Sequence, residues 1–172
     1  MLNVKLTLVE ESKKLVLRNL VKMYCYEWSQ YNGIDIDQNG DYVFEHDLDR
    51  FFINENHYAY FICFEDNVVG FVLVDTDIDY YKESNYAVSE FFVLIKYRRL
   101  GIGKQAAIEV LKRHKGKWEI KMHPKNGESI EFWKRVVVEI AKDRNYKMEE
   151  GCKEAKYIDG SLGTVIGFET TD

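Results

Sequence analysis

One proline stands in 172 residues, and no apolar run approaches the roughly 18 residues that a membrane-spanning helix needs. With 46% hydrophobic and 15% aromatic residues, that scarcity excludes a disordered or collagen-like chain and leaves a globular protein with room for a proper core. The opening stretch MLNVKLTLVEES has no basic segment leading into an apolar one, so no signal peptide is expected. Cysteine is sparse and odd in number: Cys25, Cys63 and Cys152 are too far apart for a disulfide framework or a zinc site. Reduced, buried thiols in a cytoplasmic protein are the expectation. Positive charge is also in deficit, with a net charge of −5 and a pI near 5.5, which argues against a nucleic-acid binder. No repeat, linker or low-complexity segment interrupts the sequence, so a single domain over residues 1–172 is expected.

The charge is unevenly placed. Asp35, Asp37, Asp41, Glu45, Asp47, Asp49 and Glu55 crowd the first third. From Lys96 to Lys125 the balance reverses around Arg98, Arg99 and Lys104, which suits a polyanionic small ligand such as a phosphorylated nucleotide. Lys112 to Lys117 reads instead as a solvated helix end, where the helix dipole favours cations. Asp35 to Asp41 resembles the opening of an EF-hand loop, with oxygen ligands at alternate positions before a glycine. The twelfth position, which should carry a bidentate glutamate, is His46, with Glu45 one residue early. An acidic turn is the reading, one able to attract a cationic amine.

Hydrophobic periodicity gives the elements. Asn3 to Val9 alternates as a first strand, and Glu11 to Gln30 repeats at helical spacing. Asp47 to Asn54 predicts a short helix. Tyr58 to Phe64 and Val68 to Asp75 predict a hairpin turning at Glu65-Asp66-Asn67. A polar loop to Asn85 leads to a central strand, Phe91 to Ile95, rich in aromatic and β-branched residues. Lys117 to Met122 predicts a further strand and Asn126 to Ala141 a helix. The tail, with Tyr146, Met148 and Thr164 to Phe168, predicts a closing strand pair. The aromatic cluster Tyr24, Tyr26, Trp28 and Tyr31 reads as core before pocket.

The chemistry concentrates in Ser89 to Lys115. After the central strand come Arg98-Arg99-Leu100-Gly101-Ile102-Gly103 and a helix whose apolar face carries Ala106, Ala107, Val110 and Leu111. A strand, a basic glycine turn and a helix aim unpartnered N–H groups and the positive end of a dipole at an anion. Glycines let a phosphate approach the backbone. A P-loop is excluded, because Gln105 follows Lys104 and the first glycine is missing. Gly101-x-Gly103-x-x-Ala106 also fits the dinucleotide fingerprint, so NAD binding is a minor alternative. The acidic ribose ligand expected about twenty residues on is absent from Ile120-Lys121-Met122-His123, which is basic.

These residues are similar to the Arg/Gln-x-x-Gly-x-Gly/Ala loop of the GNAT N-acetyltransferase superfamily. Val93, five residues before Arg98, stands where that family closes its central strand with a valine. Asn126 and Phe132 stand where its second element, an Asn followed by an apolar-aromatic helix, is expected. The resemblance spans roughly Val68 to Ala141. It implies an α/β fold, the acyl-CoA N-acyltransferase fold: a mixed, mostly antiparallel six- or seven-stranded sheet with helices on both faces, splayed after the central strand to admit acetyl-CoA. Phe92, Val93 and Leu94 would pair with the pantetheine arm and supply an oxyanion N–H. Arg99, Leu100, Gly101, Ile102, Gly103 and Lys104 would hold the pyrophosphate through their N–H groups, with Arg98 or Arg99 adding charge. Asn126 would bind the pantetheine, with Phe132 packed against it.

The implied reaction is direct attack of a small-molecule or peptide primary amine on acetyl-CoA, without metal, nucleic acid or membrane. The resemblance also allows a homodimer. Glu90, expected at the start of the central strand, is the candidate base, its pKa raised by partial burial. His57 and Tyr146 are weaker candidates. The family's general acid is a tyrosine seven residues after the Asn, and here that position is Trp133, whose indole N–H is far too weak an acid. A catalytically silent acyl-CoA-binding or sensing module is therefore the alternative to an enzyme.

Overall fold

A computed structural model describes residues 3–44 and 47–170. Seven strands form one sheet: β1 (Val4–Leu8), β2 (Tyr58–Phe64), β3 (Asn67–Asp75), β4 (Tyr86–Val93), β5 (Lys117–Met122), β6 (Ala141–Lys156) and β7 (Leu162–Thr170), in the order β1-β2-β3-β4-β5-β7-β6. Among the described residues the one parallel pair is β4–β5, and every other neighbour is antiparallel. That is the mixed α/β sheet expected. It excludes the doubly wound parallel sheet that the dinucleotide fingerprint requires.

Helices cover both faces. α1 (Lys14–Asn32) follows a 3-10 turn at Glu11–Lys13 and buries Leu17, Leu20, Val21 and Cys25 against Phe61, Phe71, Leu73 and Phe92. Leu15, also apolar, faces solvent at 66% exposure because it lies off that stripe. The short α2 (Arg50–Ile53) buries Phe51 beside the same cluster. On the opposite face α3 (Ile102–Arg113) and α4 (Gly127–Ile140) pack Ala106, Val110, Trp133 and Val137 over Val72, Val88, Trp118 and Ile120.

The hairpin turns where expected, with Glu65 and Asp66 both at positive φ. The central strand differs from the expectation. It begins at Tyr86 and ends at Val93, so Glu90 lies inside it and not at its start, while Leu94 and Ile95 lie beyond it. Leu94 still donates its N–H to the Val69 carbonyl at 2.8 Å. The chain then leaves the sheet because Ile95–Tyr97 form a 3-10 turn, in which Tyr97 and Arg98 donate to the Leu94 and Ile95 carbonyls at 2.9 and 3.1 Å. Lys112 and Arg113 do end α3, but Lys117 opens β5. β6 begins at Ala141, directly after α4, and is much longer than the expected closing strand.

Candidate active site

Between β4 and β5 the sheet comes apart. The two strands pair only through Tyr86, Ala87 and Val88 against Trp118, Glu119 and Ile120. Beyond Val88 no strand among the described residues pairs with the β5-facing edge of β4, and a cleft of about 1270 Å³ opens there. On the far edge β4 keeps its pairing with β3, interrupted by a bulge at Ser89: Val74 faces Val88, and Leu73 faces Glu90. The extra residue keeps the Glu90 side chain on the same face as Leu73, under α1, while Phe91 and Val93 point to the α3–α4 face. The cleft therefore passes from one face of the sheet to the other, with Glu90 on one wall and the glycine turn on the other.

The turn is built for close approach. Arg99 has a φ of 61° and Gly101 a φ of 85°, both left-handed, and α3 starts immediately after. Left-handed residues alternating with right-handed ones just before a helix N-terminus collect N–H groups on one side. Gln105 is the first to find a helical acceptor, the Gly101 carbonyl at 3.0 Å, so the groups of Ile102, Gly103 and Lys104 belong to the unpaired first turn. Gly103 lies against Val93, Phe91 and Phe132, where a Cβ would stand 3.6–3.8 Å from their side chains. Its missing side chain leaves the cleft wall flush with the backbone.

Arg98 is held fast: its Nε donates to the Val93 carbonyl at 2.6 Å and its guanidinium bonds Glu27 at 2.6 Å. Arg99 and Lys104 form exposed ion pairs with Glu128 and Glu139, each at 2.6 Å. Such pairs are weak in water and open readily for a more highly charged anion. Asn126 borders the cleft and caps α4, its side-chain oxygen accepting from the Ser129 N–H at 3.0 Å. Phe132 borders it too, 5.6 Å from the Phe91 ring.

Of the residues expected to bind a cofactor, Phe92, Val93, Arg98, Arg99, Gly101, Gly103, Lys104, Asn126 and Phe132 meet at this cleft. Leu94, Leu100 and Ile102 do not line it. The Leu94 N–H is committed to Val69, the Leu100 side chain is 54% exposed, and Ile102 is wholly buried in the core. Leu100 and Ile102 retain only a backbone role in the turn. Trp133 is buried edge-on to Phe91 and Phe132 and closes the floor. His57 packs on Phe51 and Arg50 away from the cleft, and Tyr146 packs on the core from β6, so neither faces Glu90.

On the α1 face the cleft carries residues that no motif announced. Glu119, 1% exposed, accepts N–H bonds from Asp79, Tyr80 and Tyr81 and so fixes the loop before β4. Tyr24 hydrogen-bonds Glu90; burial and that carboxylate push its phenol well above the usual tyrosine range. Trp28, Tyr31 and Tyr157 surround His123, whose pKa burial lowers although Asp159 pulls it back up. Tyr26 is 68% exposed and takes no part. One signal in the sequence was available: Glu119, Lys121 and His123 alternate with Trp118, Ile120 and Met122. A strand covered by helices on both faces should be apolar on both, so its polar side must face an opening.

The acidic turn is closed by its own backbone. One carboxylate oxygen of Asp37 accepts from the N–H groups of Asn39 and Asp41 at 2.8 and 3.0 Å, and Lys22 grips Asp41 at 2.7 Å. Glu45 and His46 lie outside the described residues. No helix among the described residues is long and apolar enough to cross a membrane.

An unpaired strand edge, a run of N–H groups and a wall without a Cβ fit a long phosphate-bearing ligand that lies along β4 as an extra strand. The comparisons agree with that shape. The fold resembles an acetyltransferase from Thermus thermophilus with a TM-score of 0.68 at 14% identity, over 98% of this chain and 97% of that one. A GNAT family acetyltransferase from Elizabethkingia anophelis, solved with acetyl-CoA bound, aligns with a TM-score of 0.55 at 11% identity, over 97% and 98% of the two chains. A chimera of the Vibrio cholerae spermidine N-acetyltransferase SpeG aligns with a TM-score of 0.62 at 11% identity, over 96% and 95%. No curated protein matches the sequence. Residues 20–137, well over half of the chain and reaching further upstream than the motifs alone, match the sequence model of the acetyltransferase (GNAT) family. With that match and the splayed sheet together, the chain belongs to the GNAT acetyltransferase family.

Proposed function

We propose that this chain is an acetyl-CoA-dependent N-acetyltransferase that acts on a primary amine of a small molecule or peptide. The observation that carries the reading is the position of Glu90: it lies in the wall of the cleft that separates β4 from β5, two residues before Phe92 on the same unpaired edge. Acetyl-CoA would supply an activated acetyl thioester. The edge of β4 would hold its pantetheine arm, the turn from Arg99 to Lys104 its pyrophosphate, and Asn126 with Phe132 the arm's outer side. A backbone N–H on β4 beside Val93 would face the developing oxyanion. An ammonium acceptor must lose a proton to become nucleophilic, and the Glu90 carboxylate takes it directly or through water. Tyr24 holds Glu90 by a hydrogen bond and keeps its own phenol proton at neutral pH, because its pKa is raised.

Trp133 favours a second reading, a silent acyl-CoA-binding module. It occupies the position of the family's proton donor, and it is a buried packing residue. Tyr157 borders the same cleft and offers a hydroxyl proton in its place. Calorimetric titration with acetyl-CoA, with NAD as control, followed by thiol release with an amine panel, separates the readings. Saturable acetyl-CoA binding with amine-dependent thiol release is expected. Binding without thiol release from any amine would leave the sensing module, and no binding would overturn both.

A further inference from the structure

The α1 face of the cleft carries more negative charge than one base requires. Asp75 pairs with Ala87 and Ala87 with Glu119 across β3, β4 and β5, so the three side chains share one face. The bulge at Ser89 places Glu90 there as well, diagonal to Asp75. Diagonal neighbours on paired strands stand about 7–8 Å apart. Asp77 and Asp79 border the same end of the cleft. Against these five carboxylates stand Arg50, bonded to Asp77, the buried His57, 4.0 Å from Asp77, and Lys121, over the Tyr157 ring.

Their carboxylates are not equivalent. Glu119 is saturated by three backbone N–H groups and serves the loop. Asp75 is 7% exposed yet undersupplied with donors. Its Oδ2 accepts from the Ser89 hydroxyl and lies 3.7 Å from Arg50, whose stronger bond goes to Asp77. Its Oδ1 is buried with no hydrogen-bond partner, although Asp75 borders the cleft. A buried carboxylate ordinarily gathers donors on both oxygens, and one left short has capacity for a further donor, which a cationic group in the cleft would supply. Tyr24, which bonds Glu90, and Trp28, stacked on it at 5.8 Å, line the same cleft and offer an aromatic surface suited to a methylene chain.

We propose that the acceptor is a dication: one amine reacts at Glu90 while a second ammonium group, a short alkyl chain away, is held by Asp75. The inference rests on the acetyltransferase reading, in which Glu90 faces the reacting nitrogen. That nitrogen gives one proton to Glu90 and forms a C–N bond to the acetyl carbon as the thioester C–S bond breaks. Its second proton goes, by way of water, to the departing CoA thiolate, which leaves as the free thiol. The second ammonium keeps its proton and its charge, so it anchors the molecule and does not compete as a nucleophile. Asp75 is thus a specificity residue, and neutral or acidic amines are disfavoured by the same field.

The test compares 1,4-diaminobutane with n-butylamine on the full chain, by calorimetric binding and by kcat/KM for thiol release from acetyl-CoA. Diamine binding and kcat/KM should exceed the monoamine's by roughly ten- to one-hundred-fold, the worth of one charge-assisted hydrogen bond, chiefly through KM. Asp75→Asn should collapse that ratio towards unity. Equal values for the two amines in the wild-type protein overturn the proposal without any variant, so it remains testable should Asp75→Asn not fold. A ratio that survives Asp75→Asn in folded protein overturns it too. Because binding needs no turnover, tight diamine binding without thiol release would sink the enzyme reading and leave the dication site standing. Turnover of monoamines with no diamine preference would do the reverse.

Discussion

Valine in place of Gly103 tests the proposed anion-binding turn apart from the rest of the fold. Gly103 is in the first turn of α3 and is not among the residues at positive φ, so its backbone suits any residue. A Cβ there would lie 3.6 Å from Val93 Cγ2, 3.7 Å from Phe132 Cε2 and 3.8 Å from Phe91 Cε1, all ordinary contacts. Alanine therefore fits, and removing glycine's freedom in a helix should add about 0.5–1 kcal/mol of stability. In a chain of this size that is a rise in Tm of about 2–4 °C per kcal/mol. Valine adds two carbons a further bond length of about 1.5 Å out, over the N–H groups and into the cleft between Val93 and Phe132. If that costs one N–H bond to a phosphate oxygen, worth about 1.5–3 kcal/mol, acetyl-CoA affinity falls roughly ten- to one-hundred-fold. Calorimetric titration and thermal unfolding of the wild type, Gly103→Ala and Gly103→Val measure both effects. A valine variant that melts like the wild type and binds acetyl-CoA equally well would refute the assignment of the turn. Gly101 is the poorer probe. Its φ of 85° makes any side chain cost about 1–2 kcal/mol, so weaker binding there would be mixed with lost stability.

Glu90→Gln should lower kcat by about 10²–10⁴-fold with acetyl-CoA affinity little changed, and an unchanged pH–rate profile would remove Glu90 from the mechanism. Gly70→Ala should unfold the protein or cost upwards of about 3 kcal/mol, because its Cβ would stand 2.1 Å from the Phe92 carbonyl oxygen and push β4 off β3. A Tm unchanged by that substitution would contradict the strand pairing. His114, bonded to the Tyr60 hydroxyl at 2.8 Å, has its pKa pushed down to about 4 by burial and by Arg113. The unfolded chain then takes up the proton first, so His114's contribution is intact above about pH 6.5 and is lost as pH falls towards 4, by up to about 3 kcal/mol. A pH series of thermal melts should show that slope in the wild type and a shallower one in His114→Gln.

The sequence by itself determined the fold family and the glycine-turn side of the cleft, because both are written in contiguous residues. Val93, Arg98, Gly101 and Gly103 are a local motif: a strand end, a left-handed turn and a helix start need only neighbours in sequence to form. The alternation in β1, the turn between the apolar runs of β2 and β3, and the helical stripes of α1, α3 and α4 were equally legible, since such patterns are local. The limits of β4 were not legible. Phe91 to Ile95 is one apolar run, but β4 stops at the 3-10 turn that follows Leu94, and it begins five residues earlier, at Tyr86, because that residue pairs with Trp118, far away in the chain. The α1 side of the cleft depends on such distant partners throughout. Asp75, Glu90 and Glu119 come from three strands, and a one-residue bulge at Ser89 decides which face Glu90 occupies. Register has no local signature when a single extra residue reverses the side chain's direction, so only the assembled sheet could place those carboxylates together.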